Sequence, residues 1–329
     1  MNKKIVTISA IVLLVLANNI FADKPLERIA NELAVAGENL FNEGKFAEAA
    51  AKFQEAVSTF KQAVEQDGIP NDNAKLEKWY FNAYQSYLQI SDFNNAIKIQ
   101  KMRKKLTPNN WNLIKEIAII QTKYLDDADS GINELIEYDN ENNSFEAKKM
   151  IGNYYNKYKN DQENSLIWYN KAFQQKQDSK VLQEIATLHK ELGNNSEAIK
   201  AYEDYIKTNP NENKLVIVYK NLATLYDDLK NNSRSIEYFE KANKLKPDDN
   251  ITLLLITKYY EMGDLASANQ RIADLLKSKP GNEDAIYYRA LIKFDRGDKA
   301  AAKTDFEKLV NNSKYGKVAK GYIDSIESE

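Results

Sequence analysis

The 329-residue sequence contains no cysteine and a single histidine, His189. These absences remove disulfides, thiol chemistry, thiolate metal cages and any site with two histidine ligands. The HExxH pattern, nucleophilic triads and the glycine-rich phosphate loop are missing as well. Neither sign of charge prevails: 46 Lys and Arg stand against 48 Asp and Glu, without the basic excess that nucleic-acid binders concentrate on one face. Long apolar runs are scarce too. The longest, Ile5 to Ala17, is 13 residues, short of the ~20 needed to span a bilayer. The expectation is therefore a non-enzymatic chain with no cofactor, no metal, no nucleic-acid partner and no stable membrane insertion.

What is present starts at the amino terminus. Lys3 and Lys4 precede the apolar run, and "NNIFA" then offers Ala22 as a small residue before Asp23. This three-part layout predicts a signal peptide over residues 1–22 and a periplasmic or secreted protein. An uncleaved amino-terminal anchor is the alternative. A lipoprotein is excluded, because lipid attachment needs a cysteine after the cut. Hydrophobic residues make up 43 % of the chain, which allows a large core that must be held by packing alone. Lysine outnumbers arginine and asparagine is abundant, a bias we read as the base composition of an AT-rich genome.

The same phrase recurs along the chain: "GNNSEAIKAYEDYIKTNPNE" at 193, "KNNSRSIEYFEKANKLKPDDN" at 230 and "GDLASANQRIADLLKSKPGNE" at 263. Aligned on a small residue, the units are marked by Ala49, Ala96, Gly131, Ser165, Ala198, Ser235, Ala268 and Ala302. Their spacings are 47, 35, 34, 33, 37, 33 and 34 residues. Four residues later comes a mostly large apolar side chain (Phe53, Gln100, Leu135, Tyr169, Tyr202, Phe239, Ile272, Phe306). Ala56, Arg103, Tyr138, Ala172, Tyr205, Ala242, Leu275 and Leu309 follow three further on. The i, i+4, i+7 pattern writes one helical face. A second periodic segment precedes each, centred on a small residue: Gly37, Gly152, Ala186, Ala223 or Ala290. Short turns such as "NEGKF", "LGNNS", "MGDLA" and "DRGDK" separate the two helices. Pro108, Pro210, Pro247 and Pro280 stop the second one. Thirteen extra residues in the first interval predict an extended second helix through Val64 and a loop at "DGIPNDN".

These residues resemble the tetratricopeptide repeat (TPR) family over about residues 30–310, and with the signal-like start they suggest a bacterial, exported member. Repeats one and five to eight match well. Repeat two departs, with Tyr84 and Arg103 where small residues are expected. Repeats three and four lack the proline, and Gly152 lies one residue out of register. The resemblance implies an all-α fold, a right-handed α-solenoid of about eight TPR-like hairpins over 23–310, closed by a capping helix within 311–329. A lone hairpin buries too little to offset its ordering, so neighbours must share interfaces. In "KVAKGYIDSIESE", Val318, Tyr322 and Ile326 are expected on the buried face of the cap.

Function is then sought in the concave face that first helices line in such arrays. Lys115 and Lys149, and likewise Lys123 and Lys157, share an offset of 34 residues. Lys180, Lys190 and Lys220 continue this row, a candidate ridge for acidic ligands, with a hydrated lysine face as the alternative. Lys149 and Asn153 open like a carboxylate clamp, but Glu184, Ile217 and Asn221 break it. Tyr260, Tyr287, Leu291 and Phe294 form a candidate apolar groove end for an amphipathic helix, or else belong to the core. "DDADSGINELIE" has the outline of a calcium loop but carries Ala128 at a ligand position, so it reads as a turn and helix. His189 reads as a packed or groove-edge residue. The expected role is an exported scaffold or adaptor that binds a protein or peptide segment. The alternative is a soluble accessory protein carrying a small ligand for an envelope transporter or cell-wall process.

Overall fold

The computed structural model describes residues 25–328; the predicted signal peptide at 1–22 lies outside the described residues. Seventeen α-helices, packed as sequential pairs, fall into two compact units that divide between Lys176 and Gln177. The first unit holds α1 (Pro25–Asn42) with α2 (Phe46–Gln66), α3 (Asn73–Gln89) with α4 (Phe93–Leu106), α5 (Trp111–Ile119) with α6 (Ala128–Asn142), and α7 (Phe145–Lys159) with α8 (Gln162–Gln175). The second holds α9 (Ser179–Glu191) with α10 (Asn195–Ile206), α11 (Glu212–Asp228) with α12 (Asn232–Leu245), α13 (Asp249–Glu261) with α14 (Leu265–Ser278), and α15 (Glu283–Asp295) with α16 (Lys299–Glu307). A final helix, α17 (Gly316–Glu327), follows. The sequence shows one uninterrupted array here. The connection Lys176–Gln177–Asp178 has no glycine or proline to mark the division.

All eight small anchors of the second helices are buried, as are the side chains four residues beyond them. The small residue on the facing helix lets the backbones close. A Cβ built on Gly37 would lie 3.0 Å from the Phe53 ring, and one on Gly152 would lie 3.1 Å from the Tyr169 ring. Gly131 sits closer still, where a Cβ would fall 2.1 Å from Thr122 Oγ1 and 2.9 Å from the Ala118 carbonyl oxygen.

Every turn inside a hairpin reverses the chain through one residue with left-handed φ: Gly44, Ser91, Asp126, Asn160, Gly193, Lys230, Gly263 or Gly297. In six of them the following amide donates to the carbonyl five residues back, as in Lys45 to Leu40 and Asp264 to Tyr259. This is the Schellman closure of a helix end. In repeats three and four the bond reaches six residues back, from Asp127 to Gln121 and from Asp161 to Tyr155. The extra residue accounts for the register slip. Ala118 and Gly152 each precede their partner anchor by 13 positions, whereas Gly37 precedes Ala49 by 12. In repeat three the surplus is absorbed by a π-helical turn, Ile120–Tyr124. The calcium-like stretch is turn and helix: Asp127 caps α6, and Gly131 lies on its buried side.

Thirteen of the seventeen described helices begin after an Asp, Asn or Ser whose side chain accepts a backbone amide of the first turn. Asn110, Asn211, Asn231 and Asn282 are among these caps, which gives part of the asparagine excess a structural role. Second helices stop two residues before Pro108, Pro247 and Pro280, and four before Pro210. The extended α2 runs to Gln66. Its loop is pinned by Ile69, which is buried in the core of the first unit.

Within the second unit, neighbouring hairpins are joined by one repeated device. Glu203 on α10 accepts from Tyr226 (3.0 Å) and Tyr238 (3.1 Å) of the next pair. Thirty-seven residues on, Glu240 accepts from Tyr259 (3.1 Å) and from Arg271 (2.9 and 2.7 Å). The cap differs in register from expectation. Tyr315, Ala319, Tyr322, Ile323 and Ile326 pack on the last hairpin, while Val318 is exposed. The i, i+3, i+4, i+7 face of α17 runs through 319, 322, 323 and 326, which leaves 318 on its edge.

Lys230 holds a left-handed φ of 59° on an exposed turn, a conformation that disfavours any residue with a Cβ. Lys230→Gly should raise unfolding free energy by about 0.5–1 kcal/mol, read as a higher urea midpoint at unchanged slope.

Candidate functional site

Helices α1 and α3 face each other across an open cavity of about 470 Å³ in the first unit. Phe41, Phe53 and Phe81 supply its apolar surface, while Asn42, Asn82 and Gln85 line it with amides that have no hydrogen-bond partner among the described residues. Glu38, on the same wall, pairs with Lys78 at 2.9 Å. Phe81 is 41 % exposed, and Val35, on α1, is 55 % exposed. Both are apolar side chains on the polar flank of their helices. That misplacement is the signal in the sequence that points here.

Repeat two backs this surface with polar rather than apolar packing. Arg103, 8 % exposed, donates through Nε and NH2 to Glu77 Oε1 at 2.9 and 2.6 Å. Its NH1 donates to Gln100 Oε1 at 2.7 Å, and Gln100 Nε2 donates to Glu116 at 2.7 Å. The guanidinium lies 5.0 Å from the Phe81 ring centroid and 5.8 Å from that of Tyr84. Burial, then the Glu116 charge, pushes the Tyr84 phenol up to about 12. Thus Tyr84, Gln100 and Arg103, the residues that break the repeat pattern, form one connected network.

The predicted lysine ridge divides between the units. In the first, Lys115 is exposed and has no ion-pair partner. Lys123 and Lys157 are exposed, lying against the rings of Tyr124 and Tyr158. Lys149 pairs with Glu146 at 2.9 Å, and Asn153 is exposed on the same helix. In the second unit Lys180 is exposed, but Lys190 donates to Asn221 (2.8 Å) and Lys220 to Asp248 (2.9 Å). These two are tied to structure, because each reaches the neighbouring hairpin. The candidate apolar groove end is also occupied. Tyr287 stacks on Tyr315 with centroids 4.2 Å apart, Phe294 packs edge-on to Tyr322, and Leu291 is only 5 % exposed. Tyr260 donates to Asp295 at 2.7 Å. The chain's own terminal segment packs on Tyr287 and Phe294, and Leu291 is buried, which favours the core alternative for these three, while Tyr260 is tied to the neighbouring hairpin. His189 is half-buried, and burial holds its imidazole below the ordinary range against the opposing effect of Glu197. Among the described residues, no three His, Asp or Glu side chains converge as a metal site. No helix there is long and apolar enough to cross a membrane.

Family models for the tetratricopeptide repeat match residues 179–212, 218–249 and 284–313, all in the second unit. These three segments are tetratricopeptide repeats. None of the curated proteins matches it. Among solved structures, it is similar to a tetratricopeptide repeat protein from Parabacteroides merdae at 16 % identity, covering 91 % of this chain and 99 % of that one, with a TM-score of 0.40. It is also similar to YrrB, described as a TPR protein with an unusual peptide-binding site, at 16 % identity, 57 % and 96 % coverage and a TM-score of 0.44. MamA gives 19 % identity, 52 % and 91 % coverage and a TM-score of 0.43.

The last tetratricopeptide repeat contains the most concentrated charge cluster of the second unit. Asp305, 1 % exposed, accepts from Arg289 (2.8 and 2.7 Å), Lys293 (2.7 Å) and Lys308 (3.0 Å). Burial alone would raise its carboxyl, but the three cations together overcome that and hold it at about 2. A depressed carboxyl contributes stability above its unfolded value and loses it as pH falls through the folded one. Asp305→Asn should therefore cost about 3 kcal/mol at neutral pH by leaving three cations without their counter-charge. It should also flatten the loss of stability between roughly pH 4 and 2, as measured by chemical denaturation across that range.

Proposed function

We propose that this chain is a non-enzymatic scaffold that holds an extended protein segment on the α1–α3 face of its first unit. The supporting observation is the trio Asn42, Asn82 and Gln85, amides with no internal partner, set around exposed phenylalanine surface. An extended backbone presents alternating donors and acceptors, which carboxamides can pair with equally well, while its side chains bury against Phe41 and Phe81. Lys115, Lys123 and Lys157, exposed on the following helices, add attraction for acidic residues that flank the segment. Peptides selected from a random display library should bind this protein. Asn82→Ala should weaken that binding by roughly tenfold with the thermal midpoint unchanged, and Phe81→Glu should abolish it. Selection of peptides indifferent to both changes would overturn the assignment.

The scaffold acts outside the cytoplasm in this reading, with residues 1–22 as a removable export signal. Lys3, Lys4, the 13-residue apolar run and Ala22 support it. Amino-terminal sequencing of protein recovered from the envelope or medium of an expressing bacterium should begin at Asp23. Protein that remains in the cytoplasm with Met1 intact would rule the reading out.

A further inference from the structure

A second cavity of about 340 Å³ lies beside the first, between α3 and α5. Its walls are Leu88, Ile119 and Ile120 with the rings of Phe93 and Tyr124, and Glu116 contributes the carboxylate. Three features converge on it, and each is a departure from the repeat pattern. The additional residue of repeat three forms the π-helical turn Ile120–Tyr124. That turn sets Tyr124 parallel to Phe93, with centroids 4.3 Å apart and planes 17° apart. Gln100 stands where the other repeats place a large apolar residue, and it fixes Glu116 by a 2.7 Å hydrogen bond. Tyr84, in place of a small residue, lines the same space.

Among the described residues, Glu116 therefore has a neutral donor holding it but no ion pair. Arg103, the nearest charged member of the network, is turned to Glu77 and to the Gln100 carbonyl. A carboxylate at an aliphatic and aromatic pocket is complementary to one kind of group: an ammonium carried on an alkyl stem. The stem buries against Leu88, Ile119 and Ile120, and the head group forms a charge-assisted hydrogen bond. The rim already tolerates such a head group, since Lys123 Nζ lies 5.2 Å from the Tyr124 ring centroid. We propose that this pocket takes a lysine side chain of the bound segment. The inference rests on the reading that the first unit binds a protein segment, and it specifies one residue of that segment.

The probe is an acetylated Ala-Ala-Lys-Ala-Ala amide, titrated into the full chain, with the norleucine analogue as its uncharged counterpart. Backbone amide resonances of Glu116, Ile120 and Tyr124 are followed. The lysine peptide should give saturable shifts there. Glu116→Gln should weaken them at least about tenfold, and norleucine should bind no better than that variant allows. Raised salt should weaken the lysine response further. If Glu116→Gln fails to fold, Tyr124→Ser carries the same expectation. No saturable response to lysine, an equal response to norleucine, or indifference to the substitutions would overturn the assignment. Asn82→Ala, which lines only the first cavity, separates the two proposals. It should leave the lysine response at Glu116 intact while weakening capture of longer peptides about tenfold. Loss of the lysine response alone, with capture retained, would overturn only the pocket.

Discussion

The fold depends on one steric bargain repeated along the chain: a residue without bulk on one helix faces a large ring on its partner. Gly37 against Phe53 and Gly152 against Tyr169 are the clearest cases, since even a single methyl would press on the ring. Closeness of this kind removes two backbones from water and gives each hairpin a defined crossing. It also leaves both outer flanks of the hairpin apolar, and these are buried only when another hairpin arrives. The carboxylates of Glu203 and Glu240, set at the same place in consecutive repeats, then fix how one hairpin meets the next.

Where the bargain is altered, the chain acquires features that a regular array lacks. Tyr84 is large where its peers are small, and Gln100 and Arg103 answer it with polar groups. The result is a buried network in which no single residue can be exchanged alone without leaving a donor or charge unmatched. The surplus residue in repeat three works on the backbone instead, loosening one helical turn so that Tyr124 reaches Phe93. Irregularity in a repeat protein is costly to packing. Its concentration in the first unit, around two adjoining cavities, is what distinguishes that unit from the more regular second one.

Much of the fold was legible in the sequence because it follows from periodicity. The eight anchors, the long α2 and the loop after it come from spacing alone, and the structure has them where the spacing puts them. The slip at Gly152 was visible, yet its remedy was not. A hydrogen bond that reaches back six residues instead of five leaves no mark in residue type. The division at Lys176 was hidden for a related reason: three residues without glycine or proline connect the units. The site was less legible. Lysines stand out in a sequence, but Lys190 and Lys220 turn out to be bound to Asn221 and Asp248. Tyr287 and Leu291 read equally as groove or core, because nothing in their own helix reveals that the terminal segment will pack there. Asn82 and Gln85 are inconspicuous residues, and only their lack of partners sets them apart.

The helix starts carry a consequence of their own. Eight of the caps are aspartates, and those at 127, 161 and 264 are held below the usual carboxylate range first of all by hydrogen bonds from Ser130, Asn164 and Ser267. Each of these three latches is solvent-facing, and protonation of its carboxyl weakens the amide bond it accepts. Because each hairpin leans on its neighbour within a unit, a loosened helix beginning is felt by the adjoining pair and not by one module alone. Acid weakens these helix beginnings through carboxylates alone, with no part for a histidine.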